Sequence, residues 1–322
     1  MARTLDQELE AIEPKLAAVL SAIANAVVRV ADTLRTASVT ETGSVNALGD
    51  KQLGADVAAD DTIYAALRVS GAVETASSEE RPQDHLMGGS GYAVAFDPLD
   101  GSSIVGANFA VGSIFAVFPG RHFLGRSGRE QVAAAYAVHG PKTVLVIARP
   151  VSGCDTTKLV VQEFSYGPDG WVLTRPELQL EEDKRIFAPA NLRAAAENKA
   201  YHELVLHWMS QKYTLRYSGG MVPDVHHILA KGGGVFCNPY SPSAPAKLRV
   251  LYECWPLAFI VEAAGGQSLQ DGTESALDIV LASHDQRSPV CLGSRKQVRD
   301  TAAAMVDYSA VGRLGNEATV TA

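Results

Sequence analysis

The first long pattern of apolar and polar positions in this chain has the spacing of an amphipathic helix. Apolar side chains recur three or four positions apart between residues 5 and 35. They are Leu5, Leu9, Ile12, Leu16, Val19, Leu20, Ile23, Val27, Val30 and Leu34. Pro14 lies among them and is expected to bend or restart the helix. The Ser-, Thr- and Gly-rich stretch 36–50 predicts a mobile loop, and a second helix is predicted over 52–70.

The middle of the chain has the short apolar runs of buried strands. The predicted strands cover 92–97, 110–118, 132–138, 143–149, 158–166 and 171–174. Pro168-Asp169-Gly170 is typical of a tight turn, so the last two strands are expected to form a hairpin.

After residue 183 the pattern alternates between helix and strand. Helices are predicted at 197–212, 222–231 and near 254–264, and short strands near 185–188, 214–217, 234–237 and 249–252. This alternation is typical of α/β proteins. The 322 residues are many for one core, so we predict two α/β-type domains, 1–183 and 184–322.

Net charge and cysteine usage exclude some kinds of binding partner and indicate the cellular compartment. A net charge of −8 argues against a nucleic-acid binder. Cys154, Cys237, Cys254 and Cys291 are far apart and form no CxxC pair, so zinc and a disulfide framework are not expected. No apolar run approaches about 18 residues, which predicts no membrane span. We therefore expect a cytoplasmic protein, with a plastid location left open if a transit peptide was trimmed.

The strongest chemical signal is an acidic loop after the first predicted buried strand. Asp97 and Asp100 lie three positions apart across Pro98, followed by Gly101, Ser102 and Ser103. Glu79-Glu80 and Asp56 lie upstream. Converging carboxylates repel one another unless cations lie between them, and their oxygens suit Mg²⁺ or Mn²⁺. A serine-opened helix favours phosphate, so this loop predicts metal-assisted phosphoryl chemistry.

These residues also admit simpler interpretations. The acidic loop alone could be a helix cap with solvated acids, and Glu79-Glu80 a solvated face. A serine hydrolase lacks support because no GxSxG elbow is present. His226 and His227 are adjacent on a predicted helix and point in different directions, which favours packing over metal ligation.

Several motifs together resemble the fructose-1,6-bisphosphatase family of lithium-sensitive, magnesium-dependent phosphatases. They are Ser78-Glu79-Glu80, the stretch from Phe96 to Ser103, and the stretch from Lys247 to Glu253. Four more motifs resemble the branch that acts on sedoheptulose 1,7-bisphosphate: Ile104-Val105, Gly128 to Ala135, Asn191-Leu192-Arg193, and Tyr213 to Asp224. The resemblance runs in order from about residue 34 to about residue 300.

The resemblance implies a layered αβαβα sandwich of the sugar phosphatase type, with a metal site in the first domain. The implied metal ligands are Glu79, Glu80, Asp97, Asp100, Glu253 and the Leu99 carbonyl. Two or three Mg²⁺ ions are expected, and Mn²⁺ is possible. Asp56 would act with Glu80 on the attacking water, and Asp50 would support that pair.

The resemblance also assigns residues to a sugar bisphosphate. The backbone N–H groups of Gly101, Ser102 and Ser103 would hold the phosphate that is removed. The second phosphate would lie against Asn191, Arg216, Tyr217 and Lys247, and the sugar against Gly219, Gly220 and Met221. In the family this arginine reaches across from a neighbouring subunit, so a homodimer is expected.

The implied reaction is hydrolysis of the 1-phosphate of sedoheptulose 1,7-bisphosphate. Ile104 stands where fructose bisphosphatases usually have Asn, and Asn238 where they have a tyrosine that contacts the sugar phosphate. These departures favour the seven-carbon substrate. Fructose-1,6-bisphosphatase, a dual-specificity enzyme, an inositol monophosphatase and a non-catalytic sugar-phosphate sensor remain alternatives. The reaction would serve the Calvin cycle or pentose phosphate synthesis.

Overall fold

The computed structural model describes residues 3–36, 41–45, 51–153, 155–272 and 274–305. The helices in these ranges are α1 (Leu5–Leu9), α2 (Pro14–Thr36), α3 (Gly54–Val69), α4 (Ser102–Val105), α5 (Lys199–Ser210), α6 (Met221–Lys231), α7 (Trp255–Ala263) and α8 (Arg295–Asp300). The strands are β1 (Glu41–Val45), β2 (Lys51–Leu53), β3 (Val73–Ser78), β4 (His85–Leu86), β5 (Tyr92–Asp100), β6 (Val111–Pro119), β7 (Ala133–His139), β8 (Thr143–Ser152), β9 (Asp155–Gly167), β10 (Gly170–Arg175), β11 (Ile186–Pro189), β12 (Thr214–Leu215), β13 (Val235–Asn238), β14 (Gln267–Leu269) and β15 (Val290–Gly293).

The larger sheet has the strand order β10-β9-β8-β7-β6-β5-β3-β4. Its neighbours run antiparallel except for β3 and β5, which are parallel. Strands β9 and β10 form the predicted hairpin, with Gly167 opposite Gly170. This arrangement places the carboxyl ends of β3 and β5, and so Glu79 and Asp97, at the same part of the sheet.

Helices cover both faces of this sheet because successive residues in a strand point to opposite sides. In β5, Ala93 and Ala95 belong to the core formed with α6 and α7. Val94 and Phe96 belong to the core formed with α1, α2 and α3. The continuous apolar runs recognised in the sequence are therefore strands buried on both faces.

The smaller sheet lies beyond α6 and α7 and has the order β12-β11-β13-β15-β14. Phe236 of β13 faces the core of α6 and α7, whereas Cys237 faces a third core with Tyr201 and Trp208 of α5. The layers thus follow the order helix, sheet, helix, sheet, helix. This confirms the predicted layered αβαβα sandwich.

The eight-stranded and five-stranded sheets fall on either side of the predicted boundary at residue 183, and β1 and β2 pair separately before it. Strands β3 to β10 precede it, and β11 to β15 follow it. Helix α7 follows the boundary in sequence but packs on β6 and β7 of the larger sheet. The division into domains 1–183 and 184–322 stays a prediction.

Some predicted elements have different bounds, and one is wrong. The segment 5–35 forms two helices, because the chain restarts at Pro14. The strand predicted near 249–252 is instead a π-helical turn, Val250–Cys254, that leads into α7. Its residues are all buried, and a short apolar run in a buried helix has no period that distinguishes it from a strand.

Other elements were not predicted. Strand β3 is buried almost throughout, but Glu74, Thr75, Ser77 and Ser78 hide its apolar signal. Strands β4, β14 and β15 and helix α8 were also missed. Strand β1 lies within the stretch predicted as a loop, and β2 at the predicted start of the second helix, which begins at Gly54. Asp50 and Cys154 lie outside the described residues.

Helix α2 is an exception to the expectation that no apolar segment is long enough to span a membrane. By length and composition, Pro14–Thr36 could cross a membrane. In this fold the helix packs in the core beneath the larger sheet, with ten buried side chains that include Val19, Ile23 and Val27. A core helix of a globular protein passes the same test, so this helix is explained by its packing.

Candidate active site

The acidic loop begins inside β5 and turns sharply into α4. Asp97 Oδ1 accepts a hydrogen bond from the Leu99 N–H at 2.9 Å, which closes the turn around Pro98. Gly101 has a φ of 86°, a conformation that favours glycine, and α4 begins at the next residue. A Cβ on Gly101 would lie 3.4 Å from the Gly220 Cα, so this loop approaches the Gly219-Gly220 stretch closely.

Three of the predicted metal ligands converge from separate elements. Carboxylate oxygens of Glu79, Asp97 and Glu253 lie within 4.8 Å of one another. The Glu79 N–H donates to the Phe96 carbonyl at 3.0 Å, so the residue after β3 still lies beside β5. Glu253 lies on the π-helical turn, where its Oε2 accepts the Arg249 N–H at 2.6 Å. The fold therefore assembles a carboxylate cluster from distant parts of the chain.

Burial and mutual repulsion raise the pKa of two carboxyls in this cluster. For Asp97 and Glu253 alike, burial is the largest cause, and the Glu79 carboxylate raises the pKa further. Hydrogen bonds from Leu99 and Arg249 offset part of the effect. Without a further cation, the folded site favours protonated acids, and a divalent ion would reverse that preference.

Arg249 is part of this cluster, although the sequence analysis did not single it out. Its buried guanidinium forms an ion pair with Glu79 and another with Asp285 at 3.1 Å. One guanidinium offsets part of the charge of the three acids. The remaining hard oxygen donors fit a divalent metal ion such as Mg²⁺ or Mn²⁺.

Asp100 points away from the three-acid group, toward α6. Its carboxylate accepts hydrogen bonds from Met221 N at 3.2 Å and Val222 N at 2.6 Å. Burial raises the pKa of Asp100 to about 6, even though these two hydrogen bonds lower it. The Asp100 carboxylate contributes to the raised pKa of Asp97, and its role as a metal ligand stays a prediction.

The predicted water-activating residues lie on α3 and directly after β3. Asp56 is in the first turn of α3 and is buried, and Glu80 directly follows Glu79. Neither Glu80 nor Leu99 belongs to the three-acid group. Their catalytic and ligand roles stay predictions, as does the role of Asp50.

A pair not indicated by the sequence fixes the acidic loop from β6 and β7. Ser113 Oγ donates to the Pro98 carbonyl at 2.8 Å and lies 2.9 Å from His139 Nε2. Because the hydroxyl proton is used on Pro98, the ring N–H donates to Ser113. Burial, aided by the charge of Arg35, lowers the pKa of His139 to about 4, so the ring stays neutral.

A cavity of about 470 Å³ adjoins the acidic loop. It is lined by the predicted substrate residues Asn191, Tyr217, Gly219, Gly220, Met221 and Lys247, and by Asp100. Leu192, Arg193, Asp224 and Asn238 also line it. The structure thus brings most of the predicted second-phosphate and sugar residues into one cavity next to the acids.

Two side chains shape the wall of this cavity. Asn191 donates from its amide to the Pro239 and Ala244 carbonyls at 2.8 and 2.9 Å, which holds the 239–244 loop. Asp224 accepts the Ser218 N–H at 2.7 Å and so fixes the start of the glycine stretch. Burial, reinforced by Asp224, raises the pKa of Tyr217, which keeps the phenol protonated as a hydrogen-bond donor.

Arg216 does not line the cavity of its own chain. It lies at the exposed end of β12, where its Nη1 donates to the Leu215 carbonyl at 2.9 Å. Ile104 was singled out for specificity, and it packs against the glycine stretch: a Cβ on Gly219 would lie 3.5 Å from its Cγ2. Ile104 therefore borders the place where the acidic loop and the cavity meet.

Two family models cover most of this chain. "Fructose-1-6-bisphosphatase, N-terminal domain" matches residues 3–169, and "Fructose-1-6-bisphosphatase, C-terminal domain" matches residues 180–306. The chain belongs to the fructose-1,6-bisphosphatase family. Members of this family are sugar bisphosphatases, so the chain is a phosphoric monoester hydrolase by family.

Relatives of two kinds fall within this family. The chain is 46% identical over 290 residues to the chloroplastic sedoheptulose-1,7-bisphosphatase of Chlamydomonas reinhardtii, covering 89% of this chain and 72% of the algal protein. It is 38% identical over 289 residues to the class 1 fructose-1,6-bisphosphatase of Citrifermentans bemidjiense, covering 88% and 85%. The crystal structure of holo Leishmania major fructose-1,6-bisphosphatase has a TM-score of 0.86 at 29% identity, covering 94% and 99%.

Proposed function

We propose that this protein hydrolyses the 1-phosphate of sedoheptulose 1,7-bisphosphate in a Mg²⁺-dependent reaction, giving sedoheptulose 7-phosphate and phosphate. The observation that carries this proposal is the higher identity to the algal sedoheptulose-1,7-bisphosphatase, 46%, than to the bacterial fructose-1,6-bisphosphatase, 38%. The matched region includes both the acidic loop and the cavity.

Asp56 and Glu80 activate the attacking water. Glu80 directly follows Glu79 of the cluster, and Asp56 is a buried acid of α3. A base near the reacting phosphate takes a proton from water as its oxygen bonds to phosphorus. The bond from phosphorus to the sugar oxygen breaks, and that oxygen takes up a proton. Mg²⁺, when bound by the acids, supplies positive charge to the phosphate oxygens and lowers the pKa of water.

The turn after β5 holds the phosphate that is removed. The backbone N–H groups of Gly101, Ser102 and Ser103 begin α4 and can donate to phosphate oxygens. Because Gly101 and Gly220 approach closely, the scissile phosphate would lie where the acidic loop meets the cavity. The sugar then extends along the glycine stretch.

The second phosphate lies at the far part of the cavity. Lys247 supplies a positive charge there, and Tyr217 and Arg193 add further donors. Asn238 lines this cavity, and it is shorter than the tyrosine expected in fructose bisphosphatases. The extra room fits a sugar with one more carbon between the two phosphates than a six-carbon sugar has.

A second subunit completes this site. Arg216 lies outside the cavity of its own chain. Leu215 and Tyr217 on either side of it, and Leu206 and Met209 of α5, are exposed apolar or aromatic side chains. Docking of a second copy on this face would bury them and bring its Arg216 to the second phosphate. We therefore propose a homodimer. We also propose a cytoplasmic location, which cell fractionation would distinguish from a plastid one.

Fructose 1,6-bisphosphate is the second candidate substrate. The end of this sugar that carries the 1-phosphate is the same as in sedoheptulose 1,7-bisphosphate. The 38% identity to a class 1 fructose-1,6-bisphosphatase also favours some activity on it. A dual-specificity enzyme would use the same acids and the same cavity.

Phosphorus NMR of the reaction with sedoheptulose 1,7-bisphosphate and Mg²⁺ tests the proposal. We expect one equivalent of inorganic phosphate and retention of the 7-phosphate signal. Loss of the 7-phosphate, or no release while the sugar still binds, would contradict it. The second outcome would favour a sensor.

A further inference from the structure

Arg81 directly follows the acidic pair and contacts the helix that carries Asp56. We propose that Arg81, paired with the buried Asp60, is a positioning residue that holds Glu80 against Asp56. This inference rests on the proposed function, because it assigns these two acids to water activation. Neither Arg81 nor Asp60 was indicated by the sequence analysis.

The first step of the argument is the turn that contains the acids. The Arg81 N–H donates to the Ser78 carbonyl at 3.1 Å and lies 3.0 Å from Ser78 Oγ, and the Ser78 N–H donates back to the Arg81 carbonyl at 3.3 Å. Glu79 and Glu80 are the two residues between these bonds. The backbone of Arg81 therefore closes the turn that carries both acids.

The second step is the ion pair on α3. Arg81 Nε lies 3.0 Å from Asp60 Oδ2, and Asp60 is 1% exposed. Asp60 follows Asp56 by four residues, so the two aspartates lie on the same face of α3. The guanidinium thus ties the Glu79-Glu80 turn to the helix turn next to Asp56.

The third step is the rest of the guanidinium's environment, which restricts its orientation. The group lies over the Tyr64 ring, 5.0 Å from the centroid, and forms a second ion pair with Asp61. Asp61 is 62% exposed, so this second pair contributes little. The buried pair with Asp60 is the contact that fixes Arg81, since removing one partner leaves an uncompensated buried charge.

Charge gives Arg81 a second effect on the same acids. Asp60 lies near Glu80, and the Arg81 charge favours the ionised, paired form of Asp60, so loss of Arg81 would also remove the ion pair that holds the turn on α3. Glu80 would then move away from α3 and from Asp56. Small displacements of a base from the reacting water reduce turnover strongly, by as much as about 100-fold for an ångström.

The test compares Arg81→Ala, Arg81→Lys and Asp60→Asn with Asp61→Asn as the matched control. We expect Arg81→Ala and Asp60→Asn to lower kcat about 10- to 100-fold while KM for the bisphosphate changes less than about twofold. Arg81→Lys, which keeps the charge but not the planar group, should fall between them and the wild type. Asp61→Asn should stay within about twofold of the wild type.

Two measurements separate positioning from a loss of fold. Tm is measured at increasing Mg²⁺ concentrations. The concentration that gives half of the maximal rise in Tm should be severalfold higher for Arg81→Ala than for the wild type, and unchanged for Asp61→Asn. The double variant Arg81→Ala/Asp60→Asn should lose no more kcat than the worse single variant, because one interaction is removed. Should Arg81→Ala not fold, the Arg81→Lys and Asp60→Asn pair decides by the same criteria.

Several results would overturn the inference. These are a folded Arg81→Ala variant with wild-type kcat and Mg²⁺ response, equal effects of Asp60→Asn and Asp61→Asn, or strictly additive effects of Arg81 and Asp60. An inactive wild type would contradict the proposed function instead. The Mg²⁺ response in thermal unfolding would then still decide whether Arg81 positions the acids.

Discussion

Asp100, at the end of β5, accepts a hydrogen bond from the backbone N–H of Val222 at 2.6 Å. The two residues come from opposite halves of the chain, and this bond joins the acidic loop to the first turn of α6. The same turn lines the cavity through Met221. The acidic loop and the cavity are therefore linked directly, and changes at Asp100 should affect both.

Asp100→Asn should lower kcat at least about tenfold and also raise KM for the bisphosphate. The amide loses the charge needed for a metal ligand, and it weakens the bonds to Met221 and Val222. Asp278→Asn is the matched control, because Asp278 is half exposed and pairs with Arg129 away from the cavity. Steady-state kinetics with varied Mg²⁺ measure both constants. A change in KM alone would place Asp100 outside the metal chemistry.

Asp97→Asn should abolish most turnover and yet stabilise the metal-free protein at neutral pH. Asp97 is buried beside Glu79 and Glu253, and these contacts raise its pKa. Asparagine is neutral, so the metal-free fold no longer has to protonate a buried carboxyl, but a metal ligand is lost. In thermal unfolding, the variant should have a higher Tm than the wild type without Mg²⁺. Its Tm should rise less than that of the wild type when Mg²⁺ is added. Retained turnover in Asp97→Asn would contradict the metal-site assignment.

Glu80→Gln should also lose most turnover, with little change in Tm.

The stability of the metal-free protein should fall as pH rises. The pKa of Asp100 is raised from 3.8 to about 6, and that of Asp60 to about 7. Between pH about 4 and these values the folded protein binds more protons than the unfolded chain, so stability decreases with pH over that window. Mg²⁺ should offset the loss, and more strongly at pH 8 than at pH 5. A pH-independent Mg²⁺ effect on Tm would argue against the carboxylate cluster as the binding site.

Arg216→Ala should raise KM for sedoheptulose 1,7-bisphosphate more than it lowers kcat. In the proposed dimer this side chain would reach the second phosphate of the partner's site, and its loss leaves the acids untouched. Arg185→Ala is the control, since Arg185 is also exposed and its guanidinium donates to the Gln211 carbonyl at 3.4 Å. An unchanged KM in a protein that sediments as a dimer would remove Arg216 from the phosphate site.

Asn238→Tyr should shift selectivity toward fructose 1,6-bisphosphate. A tyrosine at this position would fill cavity space and add a hydroxyl near the second phosphate. We expect the ratio of kcat/KM for the seven-carbon over the six-carbon substrate to fall about 10-fold, the size of one lost or gained pocket contact. An unchanged ratio would show that Asn238 does not set specificity.

The sequence predicted the parts of this fold that have local patterns. β5 and β6 are continuous apolar runs, and the acidic loop directly follows the first of them, so its position at a strand end could be expected. Strand β3 was missed because Ser77 and Ser78 are polar yet buried, and only the assembled sheet explains their burial.

The missed parts of the site depend on pairs far apart in sequence. Arg249 meets Glu79 across 170 positions, and Ser113 meets the Pro98 carbonyl across 15. Such pairs leave no period or motif in a single chain. The resemblance to a known family supplied the residues of the cavity, whereas Asp60 and Arg81 became visible only through their contacts.

The most direct test of the central claim compares kcat/KM for phosphate release with Mg²⁺ from sedoheptulose 1,7-bisphosphate, fructose 1,6-bisphosphate and inositol 1-phosphate, with Asp97→Asn as the blank. We predict the highest value for the seven-carbon bisphosphate, a lower one for fructose 1,6-bisphosphate, and none above the blank for inositol 1-phosphate. A preference for either of the other two substrates, or no release above the Asp97→Asn blank, would contradict the account.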